Sequence, residues 1–250
     1  MQFSKVSWLC GIILVLVAGA ATALGVALKH EPSFYRQAQT PHNDASKELA
    51  MRFLSNFMQM LANRKYHETW GCDASQTEMN CFFHELFDDR AEADDLRRAG
   101  ISSICVNLEE PPTDDDGNAV PGGHVRLGFR YGSGFFSAVI TYELKVWLVP
   151  KEPNVIAVEI QRARAGAVPI SKQTILTHLS ELARKENFNF TQYRHQGNPV
   201  AVIDLQGDSH PAKSILTTIR VGANSLSLRG KTLEHGLAPP EIKDAKPLPK

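Results

Sequence analysis

From Val6 to Leu28 the chain reads VSWLCGIILVLVAGAATALGVAL, with no charged side chain in the run. At about 1.5 Å of rise per residue, a helix of this length crosses a hydrocarbon core of about 30 Å. The pattern therefore predicts a transmembrane signal anchor. Downstream, the apolar positions first recur with a helical period. Leu49, Phe53, Phe57, Met60 and Leu61 form a stripe that Ala50 and Leu54 widen. This predicts a helix capped by Asn43 or Asp44 and ending near Arg64. A second helix is expected from Ser75, where Ser75-Gln76-Thr77-Glu78 makes a capping box, to about Phe87.

Beyond Gly100 the period falls to two. Ile104, Val106 and Leu108 alternate with polar neighbours, as do Val125, Leu127, Phe129 and Tyr131. The longest alternation sets Phe136, Ala138, Ile140, Tyr142, Leu144, Val146 and Leu148 on one face, and Ile156, Val158 and Ile160 continue it after a Pro-containing turn. A third helix is expected from Lys172 to about Glu186 with Ser171 as cap, followed by strands near residues 201–206, 215–221 and 226–228. The fold class is α+β: an N-terminal transmembrane helix, then helices packed on a curved, mainly antiparallel β-sheet. The expected organisation is a cytoplasmic stub and anchor over 1–28, a Pro-containing linker over 29–42, one α+β domain over 43–232, and a flexible Pro-rich tail over 233–250.

Two features qualify the anchor. The small-residue pattern Ala21-Thr22-Ala23 allows the alternative of cleavage and secretion. Gly19, Ala23 and Ala27 recur every four residues, the spacing of a close helix contact. Lys5 and the amino terminus on one side face Lys29 and Arg36 on the other, so the positive-inside rule is close to a tie. A short amino-terminal tail ahead of one long domain leads to the expectation of a single-pass membrane protein with its C-terminal domain extracytoplasmic. The partner of Val6 to Leu28 is the membrane itself.

Charge and chemistry narrow the function classes. Lys plus Arg and Asp plus Glu stand at 27 each, so there is no basic excess to draw nucleic acid. Cys72, Cys81 and Cys105 show no C-x-x-C spacing, which disfavours a metal site. On a helical wheel Cys81 falls opposite Met79, Phe82, Phe83 and Leu86, among polar neighbours. A Cys72–Cys81 disulfide would account for that, and two thiols are the alternative. The acidic stretch Thr113 to Asn118 fails as an EF-hand, because placing Gly117 sixth puts Pro112 first and Gly123 twelfth. No nucleophile elbow, P-loop or dinucleotide fingerprint occurs. Neither a catalytic residue nor a cofactor is assigned.

Thr77-Glu78-Met79-Asn80-Cys81-Phe82-Phe83 resembles the capped helix of the YpmS-like family of membrane-anchored extracytoplasmic proteins, and Gly166-Ala167-Val168-Pro169-Ile170 is similar to its link from strand into helix. The order of elements is similar from about Asn43 to Gly230. The resemblance implies a highly curved sheet wrapped on helices, distantly similar to tubular lipid-binding proteins, and brings no catalytic residue. The expected function is a noncatalytic tethered domain that binds a lipid-like ligand between helices and long strand, lined by Phe53, Phe57, Met60, Phe136, Ile140, Tyr142 and Leu144. The alternative is an interaction or structural module of the cell envelope, using the opposite sheet face at Val139, Thr141, Glu143, Lys145 and Trp147. An anchored hydrolase is the third class.

Overall fold

The computed structural model describes residues 19, 22–39, 43–88, 98–111, 122–134, 137–185, 189–205 and 214–233. Five helices lie among them: α1 (residues 22–28), α2 (Ser33–Ala38), α3 (Asp44–Tyr66), α4 (Gln76–Asp88) and α5 (Lys172–Lys185). The strands are β1 (Thr69–Ser75), β2 (Ile101–Glu109), β3 (Gly123–Tyr131), β4 (Ala138–Leu148), β5 (Val155–Ala165), β6 (Val168–Pro169), β7 (Asn189–His195), β8 (Asn198–Asp204), β9 (Ser214–Gly222) and β10 (Ser225–Thr232). A seven-stranded sheet has the order β2-β3-β4-β5-β8-β7, with β6 paired to β5, and a three-stranded sheet has the order β1-β10-β9. Each strand pair is antiparallel. The expected α+β class with a mainly antiparallel sheet is therefore what the chain forms.

Local signals work where they are strong. Asn43 caps α3, its Oδ1 accepting from the Ser46 N–H at 2.9 Å. At the start of α4 the capping box closes in both directions. Glu78 Oε2 accepts from the Ser75 N–H at 2.8 Å, and Ser75 Oγ accepts from the Glu78 N–H at 3.2 Å. Arg52 on α3 donates to the other Glu78 oxygen at 2.6 Å. Burial pulls the Glu78 carboxyl upward, but the Ser75 and Arg52 hydrogen bonds outweigh it and hold the group below its usual range.

Two covers protect the apolar sheet face of Ile140, Tyr142 and Leu144. Over β2 and β3, α4 brings Met79 and Phe83 onto Val106, Leu108 and Val221. Over β5 and β8, α5 brings Leu176 onto Ile160 and Ala201, with Leu144 and Val158 beside them. Between them the small sheet approaches through β9, so closely that a Cβ on Gly123 would stand 2.2 Å from Val221. The edge of β2 is closed by side-chain amides. Asn80 Nδ2 donates to the Val106 carbonyl at 3.0 Å, Asn80 Oδ1 accepts from the Val106 N–H at 2.7 Å, and Gln76 Oε1 accepts from the Leu108 N–H at 2.7 Å.

Three expectations are corrected. Residues 29–38 are not a free linker, since α2 lies on the large sheet and Tyr35 is fully buried. Cys72, Cys81 and Cys105 are buried thiols, so the expected Cys72–Cys81 disulfide is absent. Cys72 is turned into the cluster of Met60 and Trp70, while Cys81 is fully buried because α4 is covered by α3 on one side and β2 on another. The position that the wheel sets among polar neighbours on α4 is an interior one. Finally, β1 and β7 form where no strand was expected.

Among the described residues no helix is long and apolar enough to cross a membrane. Of the Val6 to Leu28 run, only Gly19 and residues 22–28 are described, and these are helical. The acidic stretch at 113–118 and the tail from residue 234 onward also lie outside the described residues.

Candidate functional site

The site is built where the amino-terminal helix meets the large sheet. After α1 the chain turns through Lys29 to Pro32 and enters α2, whose Tyr35 inserts against Cys105 and Val139. The Tyr35 hydroxyl donates to the Ser103 carbonyl at 3.1 Å, and burial raises its pKa above the usual phenol value. Gly128 makes room for the ring, because a Cβ there would stand 2.8 Å from it. Cys105 beneath the ring is so well shielded from water that its thiol is pushed up to about 12. It is an inert core group.

Polar contacts fix the same segment from both ends. Arg130 pairs with Glu31 at 2.5 Å, and Lys29 Nζ donates to the Ser137 carbonyl at 3.1 Å. The Ala167 N–H donates to the Ala27 carbonyl at 2.7 Å. Gly166 sits at φ +57, and a Cβ there would come within 2.3 Å of the Ala27 oxygen. Glycine meets both demands, the left-handed backbone and the close approach. The contact is made by the Ala27 carbonyl with the turn between β5 and β6.

Beside this junction lies a cavity of about 1170 Å³. Val26, Leu28 and Ala138 supply apolar wall, while Lys29, His30, Arg36 and Glu31 supply charge or hydrogen bonding. Val26 and Leu24 on α1 stay 68% and 52% exposed, an apolar surface within the Val6 to Leu28 run. The cavity is an open groove with an apolar wall along α1 and β4 and cationic side chains, Lys29 and Arg36, at one part of its rim. Sequence reading missed this site because it treated residues 29–42 as linker. The available signal was Phe34-Tyr35, an aromatic pair that an exposed linker does not explain.

Six of the seven residues proposed from sequence are described, and each takes its place in the packing of α3 or of β4. Phe53 packs on Phe82 with ring centroids 4.9 Å apart, and Phe57 stacks beside Phe53. Met60 fills the cluster of Trp70 and Cys72, whereas Leu144 belongs to the cluster under α5. Tyr142 meets Phe129 at 5.8 Å, Ile140 shares its sheet face, and Phe136 lies outside the described residues. The described residues are thus shared between packing contacts of α3 and one face of β4.

The opposite face of β4, the alternative interaction surface, also differs from expectation. Val139 is covered by α2. Further along, cross-strand pairing sets Glu109, His124, Lys145 and Glu159 in one row across four strands. Glu159 is 3% exposed and accepts from Asn198 Nδ2 at 2.5 Å, while Lys172 Nζ donates to Asn198 Oδ1 at 2.7 Å. Trp147 on β4 and His195 on β7 have ring centroids 6.4 Å apart. Those strands stand three spacings apart, roughly 14 Å on a flat sheet, so the sheet curls toward this face. Among the described residues, no group of His, Cys, Asp and Glu could hold a metal ion.

His124 gives this row a measurable signature. Its Nε2 is buried without a hydrogen-bond partner, and burial first, then Lys145, lowers its pKa below the ordinary imidazole value. The unfolded chain takes up the proton near pH ~6.5, the folded one only at lower pH. Stability is therefore full above about pH 6.5 and declines as pH falls below it, toward the folded value. Urea midpoints at pH 7 and pH 5 are expected to show wild type losing more stability than His124→Gln over that interval; equal losses would contradict a neutral folded His124.

No family model matches the chain, and no curated protein or solved structure matches it either.

Proposed function

We propose that the protein is a noncatalytic, membrane-tethered domain with its folded part extracytoplasmic, and that it takes a lipid-like amphiphile in the cavity between α1 and the start of β4. The cavity carries this reading. Its apolar wall comes partly from Val26 and Leu28, at the end of the apolar run that would leave the bilayer, and its cations stand beyond that end. A lipid would thus keep its chain and its head at the levels they already occupy. The resemblance to the YpmS-like family and the curled sheet are in keeping with it. The location differs from the one read from periodicity.

Native mass spectrometry of the full chain after mild detergent extraction tests the proposal. Wild type is expected to carry a bound anionic amphiphile. Ala138→Phe, which narrows the cavity, is expected to lower its occupancy at least tenfold while the thermal midpoint stays within a few degrees. Ligand-free wild type, or equal occupancy in a folded Ala138→Phe variant, would overturn it.

A further inference from the structure

The hairpin between β5 and β6 has an apolar tip. Ala165 pairs with Val168 and Arg164 with Pro169, so Gly166 and Ala167 make the turn. Ala167 and Pro169 are exposed, and Val168 and Ile170 are half-buried. Single exposed apolar side chains are ordinary on any protein, and this group is set apart by where it stands. A Cβ on Gly166 would come within 2.3 Å of the Ala27 oxygen and 2.5 Å of the Leu28 oxygen, and the Ala167 N–H donates to the Ala27 carbonyl. Ala27 and Leu28 are the last two residues of the uncharged run from Val6. The tip therefore lies at the end of that run, beside a helix whose Leu24 and Val26 stay exposed. Cations gather behind it. Arg164 stands across from Pro169, Lys29 follows the run directly, and Arg36 shares the groove wall with Lys29. Arg36 and Arg164 are exposed, and among the described residues neither has a carboxylate partner, while Glu31 in the same wall is taken by Arg130. Over the whole chain the charges balance, so this grouping is a local feature.

We infer that this tip is a second contact with the bilayer: Ala167, Val168 and Pro169 enter the boundary between headgroups and acyl chains, with Arg164, Lys29 and Arg36 at the level of the headgroup phosphates. Apolar side chains at that boundary, with Lys and Arg beside them reaching the phosphates, are how interfacial segments bind a membrane. The inference rests on the tether in the proposed function, which sets the end of the run at the edge of the hydrocarbon. It is independent of the amphiphile in the groove. Two adjacent contacts, α1 and the tip, fix the tilt of the domain, which the anchor alone leaves open. The far end of β5, at Val155, then points away from the bilayer.

The test uses the full chain in vesicles of phosphatidylcholine and phosphatidylglycerol, with one fluorophore at a time on Ala167→Cys, Pro169→Cys or Glu152→Cys. The background is Cys10→Ser, because Cys72, Cys81 and Cys105 are buried thiols. Glu152 is exposed in the turn at the opposite end of β5, about 30 Å from the tip along the strand. A lipid with a nitroxide at the top of its acyl chain is expected to quench the labels on Ala167→Cys and Pro169→Cys about fivefold more strongly than the label on Glu152→Cys. Vesicle-bound protein with all three labels equally quenched, or equally open to an aqueous quencher, would overturn the inference and leave the tether standing. Protein that does not sediment with the vesicles would overturn both. Quenching at the tip that persists in an Ala138→Phe variant without its amphiphile supports the contact in its own right, and quenching that disappears with the amphiphile overturns it.

Discussion

Replacing Tyr35 with Ala is expected to destabilise the protein by ~3–4 kcal/mol, the scale for deleting a buried aromatic ring. The ring is fully buried over Cys105 and Val139, and its hydroxyl bonds the Ser103 carbonyl. For a domain of this size the loss corresponds to roughly 10 °C in thermal midpoint. Tyr35→Phe keeps the ring and loses one hydrogen bond, so a cost of about 1 kcal/mol is expected. The larger variant has a local consequence that a general loss of stability would not give. Hydrogen exchange should rise at Ala167, whose N–H bonds Ala27, and at Gly166, whose N–H bonds the Val139 carbonyl at 2.7 Å, before it rises in the paired centre of β4 and β5. Equal protection at these amides in a folded Tyr35→Ala variant would show that α1 holds its place without α2.

Asn80→Leu is expected to cost about as much, for a different reason. The amide satisfies both backbone groups of Val106, which is 4% exposed on the outermost strand of the large sheet. Leucine matches the volume but leaves a buried donor and a buried acceptor without partners, at about 1–3 kcal/mol each. Denaturant unfolding should show a loss of ~3–4 kcal/mol with an unchanged m-value. A loss below about 1 kcal/mol would mean that water reaches the β2 edge. Ionised, Asn80→Asp offers the Val106 carbonyl no donor and buries a charge, whereas its protonated form can accept and donate, so it is expected to recover part of the difference at low pH and less as the pH rises.

What the chain discloses about itself depends on how far apart the causes lie. The capping box at Ser75 and Glu78 and the alternation along β4 are read correctly because a few neighbouring residues determine them. β1 escapes because Gly71 and Asp73 are poor strand formers, and its partner β10 lies at the other end of the domain; only pairing of Cys72 with Leu228 and its neighbours makes it a strand. β7 is hidden by its exposed side chains, which leave no alternation to detect. Periodicity tells which residues share a face but not which faces meet. That is why Phe53, Met60 and Leu144 could be grouped on paper and yet stand in three different packing clusters. It is also why Cys81, on the face of α4 that looks polar, turns out to be interior. The approach of Gly166 to the Ala27 carbonyl, across nearly 140 positions of sequence, is a contact that no local pattern announces.

That touch changes the mechanical character of the attachment. A Pro-containing linker would let the domain wander over a hemisphere above its point of exit, but here the last turn of α1, the turn at Gly166 and the plug of Tyr35 leave no slack. In the proposed tethered state the sheet keeps one tilt and the cavity one depth, so the molecule behaves as a gauge of fixed height.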